Sequence, residues 1–157
     1  MADNYLFLEE LLIKRINDQV QGLKFVGSAP DIDAVKQQRQ KVPAAYVIYL
    51  GDDIVSDVTH QGGNRVVQKL VQNWAIVLTV NQADSMANGA AARRQTGELL
   101  GSLIKKLTGW APVEGVTPLK RAAGRSATFV IGSFLYYPLI FQTSFIFPKT
   151  EPWRPPQ

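Results

Sequence analysis

Cysteine is absent from the 157 residues, and His60 is the single histidine. The first absence removes disulfides, thiolate metal ligands and cysteine nucleophiles, and it fits a reducing compartment. The second excludes zinc sites built on several histidines and leaves one residue to serve any Ser–His pair. No run of about 18 apolar residues is present, so no membrane span is expected. The opening Met-Ala-Asp-Asn has no basic region ahead of an apolar stretch and does not read as a secretory signal. Charge is sparse at 19%, against 46% hydrophobic residues, which supplies a core and argues against general disorder. The length suits one domain.

The charge that is present is unevenly spread. Residues 1–60 hold six basic and nine acidic side chains, net −3; residues 61–157 hold eleven and four, net +7. Such a split suits two unlike surfaces that meet between subunits, a surface near nucleic acid, or an ordinary solvated exterior.

Periodicity outlines the elements. Leu8, Leu11, Leu12, Ile16 and Val20 form one helical stripe, with Asp3 or Asn4 as cap and Gly22 as stop. Leu23–Val26 reads as a short strand. Asp31 can cap a short helix reaching about Gln40. Pro43 precedes a strand over 44–50 that ends at Gly51-Asp52-Asp53, with Ile54–Val58 open between strand and loop. His60-Gln61-Gly62-Gly63-Asn64 reads as a hairpin tip.

Arg65–Val80 is the longest strand signal. Both alternating sets around Trp74–Val80 are apolar, which predicts cover on both faces. Its polar first half suggests an arm projecting beyond the core. A second helix spans Ala90–Leu107 with Leu99, Leu100, Leu103, Ile104 and Leu107 on one stripe. Gly97 and Gly101 within it suggest close approach of helix to sheet. Leu119–Ala122 and Phe134–Phe147 read as strands, the latter needing an edge or a bulge at Pro138. Four prolines in residues 148–157 predict an extended tail outside the domain of residues 1–147. The expected fold is α+β: a mainly antiparallel sheet, two amphipathic helices packed on it, and a long projecting hairpin.

No nucleophile elbow, phosphate loop or zinc-helix motif occurs, so no catalytic residue, metal site or cofactor is expected. Gly62-Gly63 leads into a strand and lacks the helix start that a phosphate cradle requires. Asp52, Asp53 and Asp57 could hold a hard cation, but they lack ligand spacing and read better as solvated charge. Arg93, Arg94, Lys105 and Lys106 flank the second helix without aromatic platforms or a reading helix. They fit a diffuse basic surface facing a lumen or passing DNA, not sequence recognition.

Four segments in this order, Val42-Pro43-Ala44-Ala45-Tyr46-Val47, Gln72-Asn73-Trp74-Ala75-Ile76-Val77-Leu78-Thr79-Val80, Leu107-Thr108-Gly109-Trp110-Ala111-Pro112 and Phe134-Leu135-Tyr136-Tyr137-Pro138-Leu139-Ile140-Phe141, resemble the tail terminator proteins of long-tailed phages, including Mu-like phages. The resemblance runs from the first helix to Phe147. It implies a non-enzymatic virion protein at the tail–neck junction, made in the host cytoplasm, that forms a ring, usually a hexamer. Such a ring stops tail-tube polymerisation and offers the surface for joining the head. Its implied partners are itself, the tail tube protein, a head-completion or neck protein and, in contractile tails, the sheath. No membrane is involved.

A ring needs two complementary, unlike patches on each subunit. Candidates on the arm are Val58, His60, Gly62, Gly63, Arg65 and Lys69. Those on the tail are Trp153, as an aromatic anchor, and Arg154. Three other readings stay open: another neck component such as a head-completion or connector protein, a nonspecific DNA-binding module, and a small hydrolase using His60.

Overall fold

The computed structural model describes residues 4–37, 41–59, 66–81, 90–123, 129–131 and 134–148. In chain order the elements are α1 (Leu8–Gln19), β1 (Phe25–Ser28), α2 (Ile32–Gln37), β2 (Ala44–Thr59), β3 (Val66–Asn81), α3 (Ala90–Leu107), β4 (Lys120–Arg121), β5 (Phe129–Ile131) and β6 (Phe134–Phe147). The six strands form one sheet in the order β1-β2-β3-β6-β4, with β5 also pairing β6. Only β1 and β2 run parallel; every other pair is antiparallel. The expected α+β class is the observed one.

α1 forms where its apolar stripe repeats at helical spacing. Leu8, Leu12, Ile16 and Val20 are buried. The Asn4 side chain accepts the Leu6 amide at 3.0 Å in the turn that precedes the helix. α3 buries Leu99, Leu103 and Leu107, and both helices lie on one sheet face against Val47, Trp74, Ile76, Leu78 and Phe141. Each fully buried leucine contributes about 1.5–3 kcal/mol. Gly109, at φ +80°, takes the left-handed conformation that ends α3, and its amide donates to the Leu119 carbonyl at 2.7 Å.

α2 packs on the opposite face, a position that the sequence reading leaves unassigned. Val35 joins Ala44, Tyr46, Ile48, Ala75 and Val77 there. Asp31 caps it, accepting the Ala34 amide at 2.8 Å. With helices on both faces, β3 is covered twice: Trp74, Ala75, Ile76, Val77 and Leu78 are all buried, which accounts for its unbroken apolar run.

Two expectations need correction. β2 does not end at Gly51-Asp52-Asp53 but continues to Thr59, because β3 pairs it along its length. The polar stretch is accommodated by register shifts at Leu50 and at Val55, and Gly51 supplies the φ of +105° there. Gly97 and Gly101 do not mark a close approach to the sheet. Both are exposed, and a Cβ at either would meet nothing within 4 Å. Since glycine in a helix interior costs up to about 1 kcal/mol against alanine, Gly97→Ala and Gly101→Ala should each stabilise the fold by that order. A urea midpoint that falls instead would show that these positions have another constraint.

Pro138 sits on β6 between the stretches paired with β5 and β4. Among the described residues, no strand pairs the outer side of β6 at that point. The missing amide proton is tolerated there, as the edge argument requires.

Candidate functional site

The β2–β3 hairpin dominates the end of the sheet away from β1. β6 braces its β3 limb as far as Gln68, which pairs with Phe147. On the β2 side, β1 covers only Ala44–Val47; from Ile48 onward no strand pairs the outer edge among the described residues.

The hairpin base is tied to the N-terminal segment. Trp74 Nε1 donates to Gln72 Oε1 at 3.1 Å, and Gln72 Nε2 donates to the Tyr5 carbonyl at 3.0 Å. The Tyr5 hydroxyl donates to Asp52. Its ring meets Tyr49 and Phe147 edge-on, at centroid distances of 6.5 and 5.1 Å. On the opposite face, Gln142 Nε2 donates to Asn73 Oδ1 at 2.8 Å, and Asn73 Nδ2 donates to Asp53 Oδ2 at 3.3 Å. These cross-strand bonds carry polar residues through the sheet without loss of pairing.

Burial raises the Tyr5 hydroxyl pKa well above the ordinary 10.0, and the bond to Asp52 adds to it. Burial also raises Tyr49, with the Asp52 charge second, and Tyr46 and Tyr136. A raised folded pKa means that the native state keeps these protons where the unfolded chain has lost them. Their contribution is therefore intact below pH 10 and is lost as pH rises above it. Melting temperature should be level towards pH 10 and fall beyond it, with a shallower fall in Tyr5→Phe. A melting curve unchanged through pH 12 would contradict this.

The structure separates the residues singled out from sequence. Val58 pairs with Val67 near the end of the hairpin. Lys69 is exposed and, by register, lies on the face opposite Leu70. His60, Gly62, Gly63, Arg65, Trp153 and Arg154 lie outside the described residues. Arg93, Arg94 and Lys105 are exposed and Lys106 is half-buried. They do not form one patch: helical geometry puts Arg94 and Lys105 on a common face, roughly 17 Å apart, with Glu98 between them.

Among the described residues there is no cluster of histidine and carboxylate groups able to hold a metal ion, and no helix is long and apolar enough to cross a membrane.

Sequence reasoning missed the exposed apolar side chains of β2. Leu50, Ile54 and Val55 are 50%, 52% and 56% exposed, more than any other large hydrophobic residues described. Leu50 and Val55 are the extra residues at the two register shifts. Their interleaving with Asp52 and Asp53 was the available signal. Such exposure on an unpaired edge is suited to contact with another protein surface, not to chemistry on a small molecule.

No curated protein matches this chain. The family model described as phage tail terminator protein matches residues 1–152, and the chain therefore belongs to that family of structural proteins of the bacteriophage tail.

Proposed function

We propose that this chain, of the Mu-like type, caps the tail tube as a homohexameric ring at the tail–neck junction. The ring ends tube polymerisation and presents the surface that a head-completion or neck protein joins; in a contractile tail it also meets the sheath. The observation that carries this reading is the family match across residues 1–152. The open, partly apolar edge of β2 supports it, since a ring subunit must offer surfaces to its neighbours. The role requires geometry and no catalytic group.

Within this reading, residues 1–147 are the ring-forming domain. The arm, through Val58, His60, Gly62, Gly63, Arg65 and Lys69, contacts a neighbouring subunit or the tube. The tail over residues 148–157 crosses a neighbour, with Trp153 as anchor and Arg154 beside it. Arg94 and Lys105, on a common face of α3, face the lumen or the DNA that passes through it, with Arg93 and Lys106 to either side, attracting phosphate without reading sequence.

The test is polymerisation of purified tail tube protein with and without the chain. Added chain should arrest tube growth. Tubes that lengthen equally in both samples would refute capping.

A further inference from the structure

Among the described residues, the sheet has two unpaired edges of opposite character. On one side, β2 beyond Val47 carries the exposed Leu50, Ile54 and Val55 together with the exposed Asp52 and Asp53. Between Lys41 and Arg65 the sequence contains three aspartates and neither lysine nor arginine. On the other side, β4 carries Lys120 and Arg121, both exposed. The adjoining end of α3 adds Lys105 and Lys106, and the Arg15 guanidinium lies 5.2 Å from the Trp110 ring centroid. Glu114 is the single acid between Lys105 and Arg121.

Strand order places these two sides at opposite ends of a path β2-β3-β6-β4. Register places them at the same level. Lys120 pairs with Gln142, Gln142 with Asn73, and Asn73 with Gly51. Arg121 leads likewise through Phe141 and Trp74 to Tyr49. A line across the sheet therefore runs from the basic strand to the acidic, apolar stretch of β2. Two unlike patches at opposite ends of one line make a head-to-tail contact that repeats from copy to copy. Opposite charges fix its register, and the apolar side chains between them supply buried area.

We propose that copies of this chain associate head-to-tail, with Leu50, Asp52, Asp53 and Val55 on β2 of one copy seated against Lys120 and Arg121 on β4 of the next. The occupant of the β2 edge is thus a second copy of this chain. Leu119 is already tied to the turn after α3, its amide donating to the Trp110 carbonyl at 2.9 Å. The contact is therefore made mainly by side chains and not by a long added ladder. This inference rests on the ring reading and names the surfaces that close the ring.

The chain itself supplies the test, because its 157 residues include no cysteine. A variant with Asp53→Cys and Lys120→Cys, oxidised after assembly in solution or on tail tubes, should give a ladder of covalent oligomers. Either cysteine alone should give none beyond a dimer. In parallel, Asp53→Lys and the pair Lys120→Glu with Arg121→Glu should each weaken assembly about tenfold or more. Combining them in one chain should restore it. Circular dichroism melts matching those of the unaltered chain would confirm that the variants fold.

If the unaltered chain forms rings but the cysteine pair does not cross-link, or the reversals have no effect, the edge contact is wrong and the ring reading stands. If the unaltered chain forms no ring in solution or on tubes, the ring reading itself fails, and this contact with it.

Discussion

Replacing Trp74 by alanine should cost about 3–5 kcal/mol, a large share of the stability of the fold. Trp74 is fully buried in the middle of the central strand β3, between the helices and the sheet. Its ring lies 5.1 Å from that of Tyr49, and it pairs in register with Phe141. Truncation removes the largest side chain of the core and opens a cavity that the flanking strands cannot close without breaking their ladders. It also deprives Gln72, itself fully buried, of the indole donor, and an orphaned buried acceptor costs about 1–3 kcal/mol. Domains of this size have about 5–15 kcal/mol in total. Trp74→Phe loses the donor but keeps an aromatic ring, so it leaves a smaller cavity than alanine does. Urea denaturation should place it between the native chain and Trp74→Ala. Equal stability of all three would mean that the centre of the sheet is not where the fold is held.

Replacing residues 58–66 by a short turn should do the opposite: fold kept, assembly lost. The segment closes the hairpin beyond the stretch that β6 braces, and only its outermost pairs, Val58 with Val67 and Thr59 with Val66, are removed from the described ladder. Shortening the connection between two paired strands changes loop entropy by less than about 1 kcal/mol, so the melting temperature should move by a few degrees. Under the proposed function the arm touches a neighbour or the tube, so capping of tail tubes should disappear. A shortened chain that still caps would remove the arm from the interface while leaving the edge contact of β2 and β4 intact. Under the proposed function, the Trp74 variants test the part that holds the fold and the arm variant tests the part that addresses other subunits.

Much of this fold is written in periodicity. The stripe Leu99, Leu103 and Leu107 marks α3 over Ala90–Leu107, because the helix buries one face, and the aromatic and aliphatic run from Phe134 to Phe147 marks β6. The double cover of β3 was legible in its two apolar sets around Trp74. The second half of β2 was not. Gly51-Asp52-Asp53 has the chemistry of a turn, and only pairing with β3, which is distant information, keeps it in the sheet. Gly97 and Gly101 misled for a related reason: glycine in a helix signals either close packing or nothing, and their surroundings decide which. The sites were less legible still. Assembly surfaces consist of ordinary exposed residues, so Leu50 and Val55 became conspicuous only when the register shifts turned them outward. Arg93, Arg94, Lys69 and Lys105 are exposed, which suits contact but does not select a partner.

Under the proposed function this chain closes the end of a tail tube. Electron cryomicroscopy of tail tubes incubated with the purified chain addresses it directly. The expected result is a ring of copies at one tube end, stacked on the last tube layer, with none along the wall. Copies bound along the shaft, or tube ends without added density, would contradict it.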